Sequence, residues 1–159
     1  GKIVSLLAAK LADLDPEHAA LYAANSAALG LRIANLAQEL DALLRPFRSV
    51  PYIVYHQAYR PFERRFGLSN LGAVTRDPEL QPGARHIRRM RTIIAASGAH
   101  CIFREPQFKP QIFAAIAEDS DIHVGELDPL GVGLEPGVNG FFDLMRNLAH
   151  GYAGCLSRP

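Results

Sequence analysis

Residues 101–127 read CIFREPQFKPQIFAAIAEDSDIHVGEL, and this stretch decides the fold. It opens on the apolar run Cys101-Ile102-Phe103, continues into a helical segment from about Pro110 to Ala117, and closes on a second β-prone run from about Ile122 to Leu127. A two-residue hairpin would suffice to join antiparallel strands. A crossover long enough to hold a helix joins parallel ones.

The same punctuation repeats upstream. The run Tyr52-Ile53-Val54-Tyr55 is followed by a helix around Pro61 to Phe66, and a short strand near Leu71 to Val74 by a helix from about Pro82 to Ser97 that turns Ile87, Met90, Ile93 and Ile94 inward. Downstream, a last helix runs from about Phe141 to Leu156. Four strands alternating with four helices predict an α/β fold: a four-stranded parallel sheet with helices on both faces.

Before residue 50 the pattern is helical throughout. Ile3, Leu6, Leu7, Leu11 and Leu14 recur at three- and four-residue steps, predicting an amphipathic helix over 2–14. Asp15 then supplies an N-cap, Pro16 a pre-set first helical residue and Glu17 a favourable first-turn charge. The stripe Tyr22, Ser26, Leu29, Ile33, Leu36, Leu40, Leu43, Phe47 continues until Pro46 and Pro51 interrupt it. About thirty residues make a rod of roughly 45 Å. A coiled-coil seam would carry regular flanking charges, whereas this stripe is rich in Ala, so the reading is a rod that spans two lobes. The expected division is 1–14, 15–49 for the long helix and linker, and 50–159 for an α/β lobe.

Composition narrows the function. The chain has 159 residues, 48% hydrophobic and 21% charged, with a formal net charge of +1. A chain of this length buries enough surface for one self-standing core. Near-neutral charge gives no electrostatic reason for a nucleic-acid partner, and the cluster Arg85, His86, Arg88, Arg89, Arg91 reads as a solvated helix face. The opening GKIVSLLAAKLADLDPE has helical periodicity rather than a signal-peptide core, and no apolar stretch approaches the roughly 20 residues of a membrane span. Cys101 and Cys155 are too few for a disulfide scaffold and too far apart for a zinc ribbon. They are two buried thiols or one bridge, and the apolar run around Cys101 favours thiols.

In an open parallel sheet, ligands bind beyond the carboxyl ends of the strands. The polar residues placed there are His56 after the first strand, Arg76 and Asp77 after the second, Glu105 after the third and Asp128 after the fourth. An imidazole with carboxylates suits a divalent metal: zinc, or manganese where carboxylates dominate. Acid-base hydrolysis fits less well, because no serine or cysteine stands at a strand-to-helix elbow with His56 as its base. The Gly131-Val132-Gly133 segment follows a turn instead of opening a helix, so it is a shaped loop and not a phosphate cradle. His18, His86, His100, His123 and His150 fall at no ligand spacing.

Five segments carry a resemblance that spans nearly the whole chain: YHQAYRPFERRFGLSNLG at 55–72, DPELQPGARHIRRMRT at 77–92, CIFREPQFKP at 101–110, GELDPLG at 125–131 and YAGCL at 152–156. Together they resemble the zinc-binding solute receptors of bacterial ABC uptake systems. The resemblance implies a non-enzymatic protein of two α/β lobes joined by one long helix, with Zn²⁺ bound between them as transported ligand. Residues 15–46 are similar to that helix, 50–157 to the C-terminal lobe and 1–14 to the last helix of an N-terminal lobe whose remainder, like the signal peptide, has no counterpart here. By the same resemblance the zinc histidine of YHQAY is His56, and the carboxylate of LDPLG, a ligand or a neighbour of the metal, is Asp128. Manganese-type relatives tend to carry Glu at the His56 position. A disulfide between Cys101 and Cys155 is implied as well, reversing the reading as thiols. The implied location is the periplasm and the implied partners are zinc and a membrane permease, with self-association through the uncovered N-terminal helices. The alternatives are a manganese or iron receptor of the same family, a metal-binding adhesin and, from another class, a small α/β hydrolase.

Overall fold

The computed structural model describes residues 2–75, 83–108, 111–118 and 120–158, with the side chains of 111 and 112 left out of that description. Arg76, Asp77 and the expected helix starts at Pro82 and Pro110 lie outside the described residues.

Helix α1 spans Lys2–Leu14 and α2 spans Ala19–Leu44, the latter entered through a single 3-10 turn at Pro16–His18 and left through another at Arg45–Phe47. The long helix is therefore 26 residues, about 39 Å, somewhat shorter than the periodicity suggests. The prolines explain the difference: Pro16 and Pro46 each lack the N–H that an α-helical ladder needs, and each sits in a tighter 3-10 turn. Asp15 does not cap the backbone as expected. Its carboxylate instead accepts from the Tyr22 hydroxyl at 2.7 Å and pairs with His18 Nδ1 at 2.9 Å, and these contacts hold it below its ordinary pKa, the His18 contact most. Contact density divides the chain into two compact units, Gly1–Ala42 and Leu43–Pro159.

The second unit contains strands β1 (Tyr52–Val54), β2 (Asn70–Ala73), β3 (Cys101–Arg104) and β4 (His123–Glu126), with helices α3 (Arg60–Phe66), α4 (Ala84–Ser97), α5 (Gln111–Ala117) and α6 (Gly140–Leu156). The strands form one sheet in the order β2-β1-β3-β4, and every pairing is parallel. The expected α/β architecture is the observed one.

Side-chain alternation along the central strands builds two cores. Ile53, Tyr55 and Ile102 pack with Met90 and Ile94 of α4 and with Phe113 and Ile116 of α5. On the opposite face Tyr52 and Phe103 meet Tyr152 of α6 edge-on at ring separations of 5.2 and 4.9 Å, and Phe62 of α3 stacks on the same tyrosine at 5.7 Å. Burial on both faces explains why β1 reads as an unbroken apolar run.

Two glycines let α6 press against the sheet. A Cβ at Gly151 would stand 2.6 Å from the Glu126 carbonyl oxygen, and one at Gly125 would stand 2.6 Å from the Phe103 ring and 2.9 Å from Cys155 Cβ. This close approach carries Cys155 to Cys101, and the two are joined in a disulfide with their Cα atoms 6.2 Å apart. The disulfide implied by the resemblance is thus present, and the first reading of the pair as free thiols does not hold. An apolar run around a cysteine reports burial, and burial accommodates a bridge as readily as a thiol.

Candidate metal centre

Strand order fixes where a ligand would sit. The chain leaves β1 toward β2 on one side and leaves β3 toward β4 on the other, so the loops after β1 and β3 diverge and open a crevice at the carboxyl edge of the sheet. His56 lies on the first of these loops and Glu105 on the second.

The structure brings these two residues together. His56 Nδ1 stands 2.7 Å from Glu105 Oε1, with the Glu105 side chain 4% exposed and that of His56 23% exposed. The contact is off the line of the ring N–H, and neither atom has another hydrogen-bond partner among the described residues. Because Nδ1 is buried, the exposure of the His56 side chain falls on its other atoms, and Nε2 is the ring nitrogen that could hold a metal.

The surroundings immobilise the pair. The backbone N–H of Tyr55 donates to the Phe103 carbonyl at 2.9 Å, extending the β1–β3 ladder to the residue before His56. The Phe108 ring meets the imidazole edge-on at 6.0 Å and packs on Tyr55 at 4.8 Å. Phe108 is held near Glu105 by its own N–H, which donates to the Glu105 carbonyl at 3.1 Å. The buried Tyr59 hydroxyl donates to the Leu127 carbonyl at 3.3 Å and also interacts with the Glu105 carboxylate. Burial pushes the Glu105 carboxyl above its ordinary pKa, an effect that His56 and Tyr59 partly offset.

Asp128, the other expected metal residue, organises its own loop. Its Oδ1 accepts from Gln107 Nε2 and from the backbone N–H groups of Leu130 and Gly131, each at 3.0 Å, and its Oδ2 accepts from the Val132 N–H. The Gln107 contact ties the loop after β3 to the loop after β4. Asp128 is close enough to oppose ionisation of Glu105, which places it at the same edge. Among the described residues no three His, Cys, Asp or Glu side chains form a group that could hold a metal by themselves.

Tyr59, Gln107 and Phe108 were missed by sequence reasoning. The first follows His56 by three residues in YHQAY, and the other two follow Glu105 in REPQF, so proximity to the strand-end residues was the available signal. Hydroxyl, amide and phenyl groups are not metal donors of first choice, and a search for donors passes over them.

Comparison with known proteins identifies the family and the fold. The family model described as zinc-uptake complex component A, periplasmic, matches residues 1–155. The high-affinity zinc uptake system protein ZnuA of Brucella suis is 42% identical over 159 residues, covering 99% of this chain and 48% of that protein. The protein of the same name from Yersinia pestis is 35% identical over 147 residues, covering 92% of this chain and 46% of that protein. The chain thus spans about half the length of the curated relatives it matches. A crystal structure of ZnuA superposes with a TM-score of 0.76 at 26% identity, covering 95% of this chain and 54% of that one. The laminin-binding protein Lmb of Streptococcus agalactiae, described as having adhesin and metal transporting activity, gives 0.74 at 28% identity, covering 94% of this chain and 58% of that one. With a parallel four-stranded lobe and a family match over nearly its full length, the chain belongs to the periplasmic zinc-uptake component A family.

Proposed function

We propose that this chain is the metal-facing C-terminal part of a receptor that captures Zn²⁺ outside the cytoplasmic membrane and passes it to an ABC permease, with no bond made or broken. One observation carries this reading: at the switch point of the sheet, His56 has one ring nitrogen buried against Glu105, which leaves the other for an ion. A neutral imidazole is a normal zinc ligand. Asp128 is its carboxylate companion: with one of the two acceptor positions on Oδ2 taken by Val132, the other remains for a cation, directly or through water.

Zinc prefers four ligands, and the described residues hold no group of three. The remaining donors belong to the half of the relatives' length that this chain does not match, or to water. The helical unit supports the same reading. Residues 15–49 form the strut of a two-lobed receptor, and Lys2–Leu14 form a helix whose exposed leucines belong against the other lobe or, in this chain alone, against a second copy. The periplasmic location and the permease partner come from the family.

Metal preference tests the proposal. Zn²⁺ and Mn²⁺ are titrated separately into the chain at equal concentrations, with binding followed by competition against a chromophoric chelator. Zinc is expected to compete and manganese to fail at the same concentration. The reverse order would favour the manganese receptor.

A further inference from the structure

We infer that Glu105 is the positioning residue of this site: its buried carboxylate holds His56 by Nδ1 and so presents the Nε2 lone pair to the metal. The inference rests on the reading of His56 as a zinc ligand, and it adds a role for a residue that would not itself touch the ion.

The geometry separates Glu105 from an ordinary surface ion pair. Its side chain is 4% exposed, and its Oε1 and His56 Nδ1 are both buried, 2.7 Å apart, with no other hydrogen-bond partner among the described residues. Leaving buried polar atoms without a partner is unfavourable. A small turn of the imidazole about its last side-chain torsion would satisfy both at once, making Nδ1–H the donor and the carboxylate oxygen the acceptor. Such a bond selects the tautomer in which Nε2 carries the lone pair, the form a metal requires.

Three further contacts make the arrangement specific. Phe108 stands edge-on to the imidazole at 6.0 Å and restricts how far the ring can swing. Tyr59 interacts with the same carboxylate, and its hydroxyl also reaches the Leu127 carbonyl one residue before Asp128. The Phe108 N–H to Glu105 carbonyl bond at 3.1 Å keeps the phenyl and the carboxylate on one tight turn. Glu105, Tyr59 and Phe108 therefore act as one seat for the His56 ring. A seat of this kind at a metal ligand is worth about 10- to 100-fold in metal affinity.

The test reads the tautomer directly, without metal. Nitrogen-15 spectra of the His56 ring are recorded on the whole chain at a pH where the ring is neutral, for the native protein and for Glu105→Gln and Glu105→Leu. Nδ1–H is expected to dominate in the native protein and in Glu105→Gln, whose amide oxygen still accepts, and to give way in Glu105→Leu. Zn²⁺ affinity should fall by about 10- to 100-fold in Glu105→Leu and by less in Glu105→Gln. Should Glu105→Leu fail to fold, the native and Glu105→Gln spectra decide alone. A native His56 protonated mainly on Nε2, or a tautomer that does not move in a folded Glu105→Leu whose thermal midpoint has fallen, would overturn the proposal and leave Glu105 as a purely structural buried acid. A tautomer that shifts as expected while zinc binding is indifferent to His56 would uphold the seat and refute the functional reading instead.

Discussion

Three buried or partly buried carboxylates do different work in this lobe, and their partners set the difference. Glu105 faces an imidazole, Asp128 gathers the N–H groups of its own loop, and Glu63 is enclosed by neutral donors: Asn70 Nδ2 at 2.6 Å, the Tyr52 hydroxyl at 3.1 Å and the Tyr152 hydroxyl at 3.4 Å. Burial pushes Glu63 above its ordinary pKa of 4.5, and the three hydrogen bonds only partly offset that. A carboxyl whose folded pKa is raised binds its proton more tightly in the folded state. Its contribution to stability is complete below the ordinary carboxylate range and is lost as pH rises through the raised folded value. Glu63→Gln has no such titration. The stability of the native protein relative to Glu63→Gln, from urea unfolding, is therefore expected to decline as pH rises above the ordinary carboxylate range. A difference that stays flat or grows as pH rises would show that the donors outweigh the burial. Little of this was legible in the sequence. His56 and Asp128 were singled out from the other strand-end residues by the resemblance of YHQAY and LDPLG to the zinc receptors, but nothing in the spacing of Glu63 or Glu105 shows which acid faces an imidazole and which faces hydroxyls. Partners of that kind are brought together only by packing, from segments up to 89 positions apart, as with Glu63 and Tyr152.

At the scale of elements, the central strands β1 and β3 were readable because both sheet faces are covered and each is a short apolar run between polar turns. Runs such as Tyr52-Ile53-Val54 leave little room for another assignment. The strand order β2-β1-β3-β4 was not readable, and it is the order that creates the crevice between the loops bearing His56 and Glu105. The role of the glycines in α6 was equally hidden, since a helix interior gives no reason for Gly until the sheet behind it is known. Gly151 lies where a methyl group would strike the Glu126 carbonyl, whereas Gly154, one turn on, has open space beside it. Gly151→Ala is expected to destabilise the lobe by about 1–3 kcal/mol through overpacking. Gly154→Ala should be neutral or stabilising by up to about 1 kcal/mol from helix propensity. Chemical denaturation of the two variants beside the native protein checks this, and equal effects would contradict the close approach of α6 to β4. The disulfide belongs to the same contact. In the chain-entropy account, a bridge between residues 54 apart in sequence stabilises by about 4 kcal/mol.

For the molecule as a whole, the exposed apolar residues are unevenly distributed. Ile3, Leu6, Leu7 and Leu14 on α1 are 83, 71, 59 and 82% exposed, and Leu21 and Leu31 on α2 are 54 and 67% exposed. Exposed apolar side chains recurring along one helix, as on α1, mark a contact surface. Among the described residues no helix is long and apolar enough to cross a membrane. Sedimentation velocity at tens of micromolar is expected to show dimers or larger species that revert to monomer in Leu6→Lys, Leu14→Lys. A native chain that stays monomeric throughout would contradict this. The metal site itself is read by calorimetric titration of Zn²⁺ into the native chain and into His56→Ala at neutral pH. With a single histidine and a neighbouring carboxylate supplied by the described residues, binding is expected at roughly micromolar affinity or weaker and is expected to vanish in His56→Ala, while His86→Ala and His150→Ala bind as the native chain does. Nanomolar one-to-one binding by the monomer, or binding that survives His56→Ala, would place the site elsewhere and contradict the account.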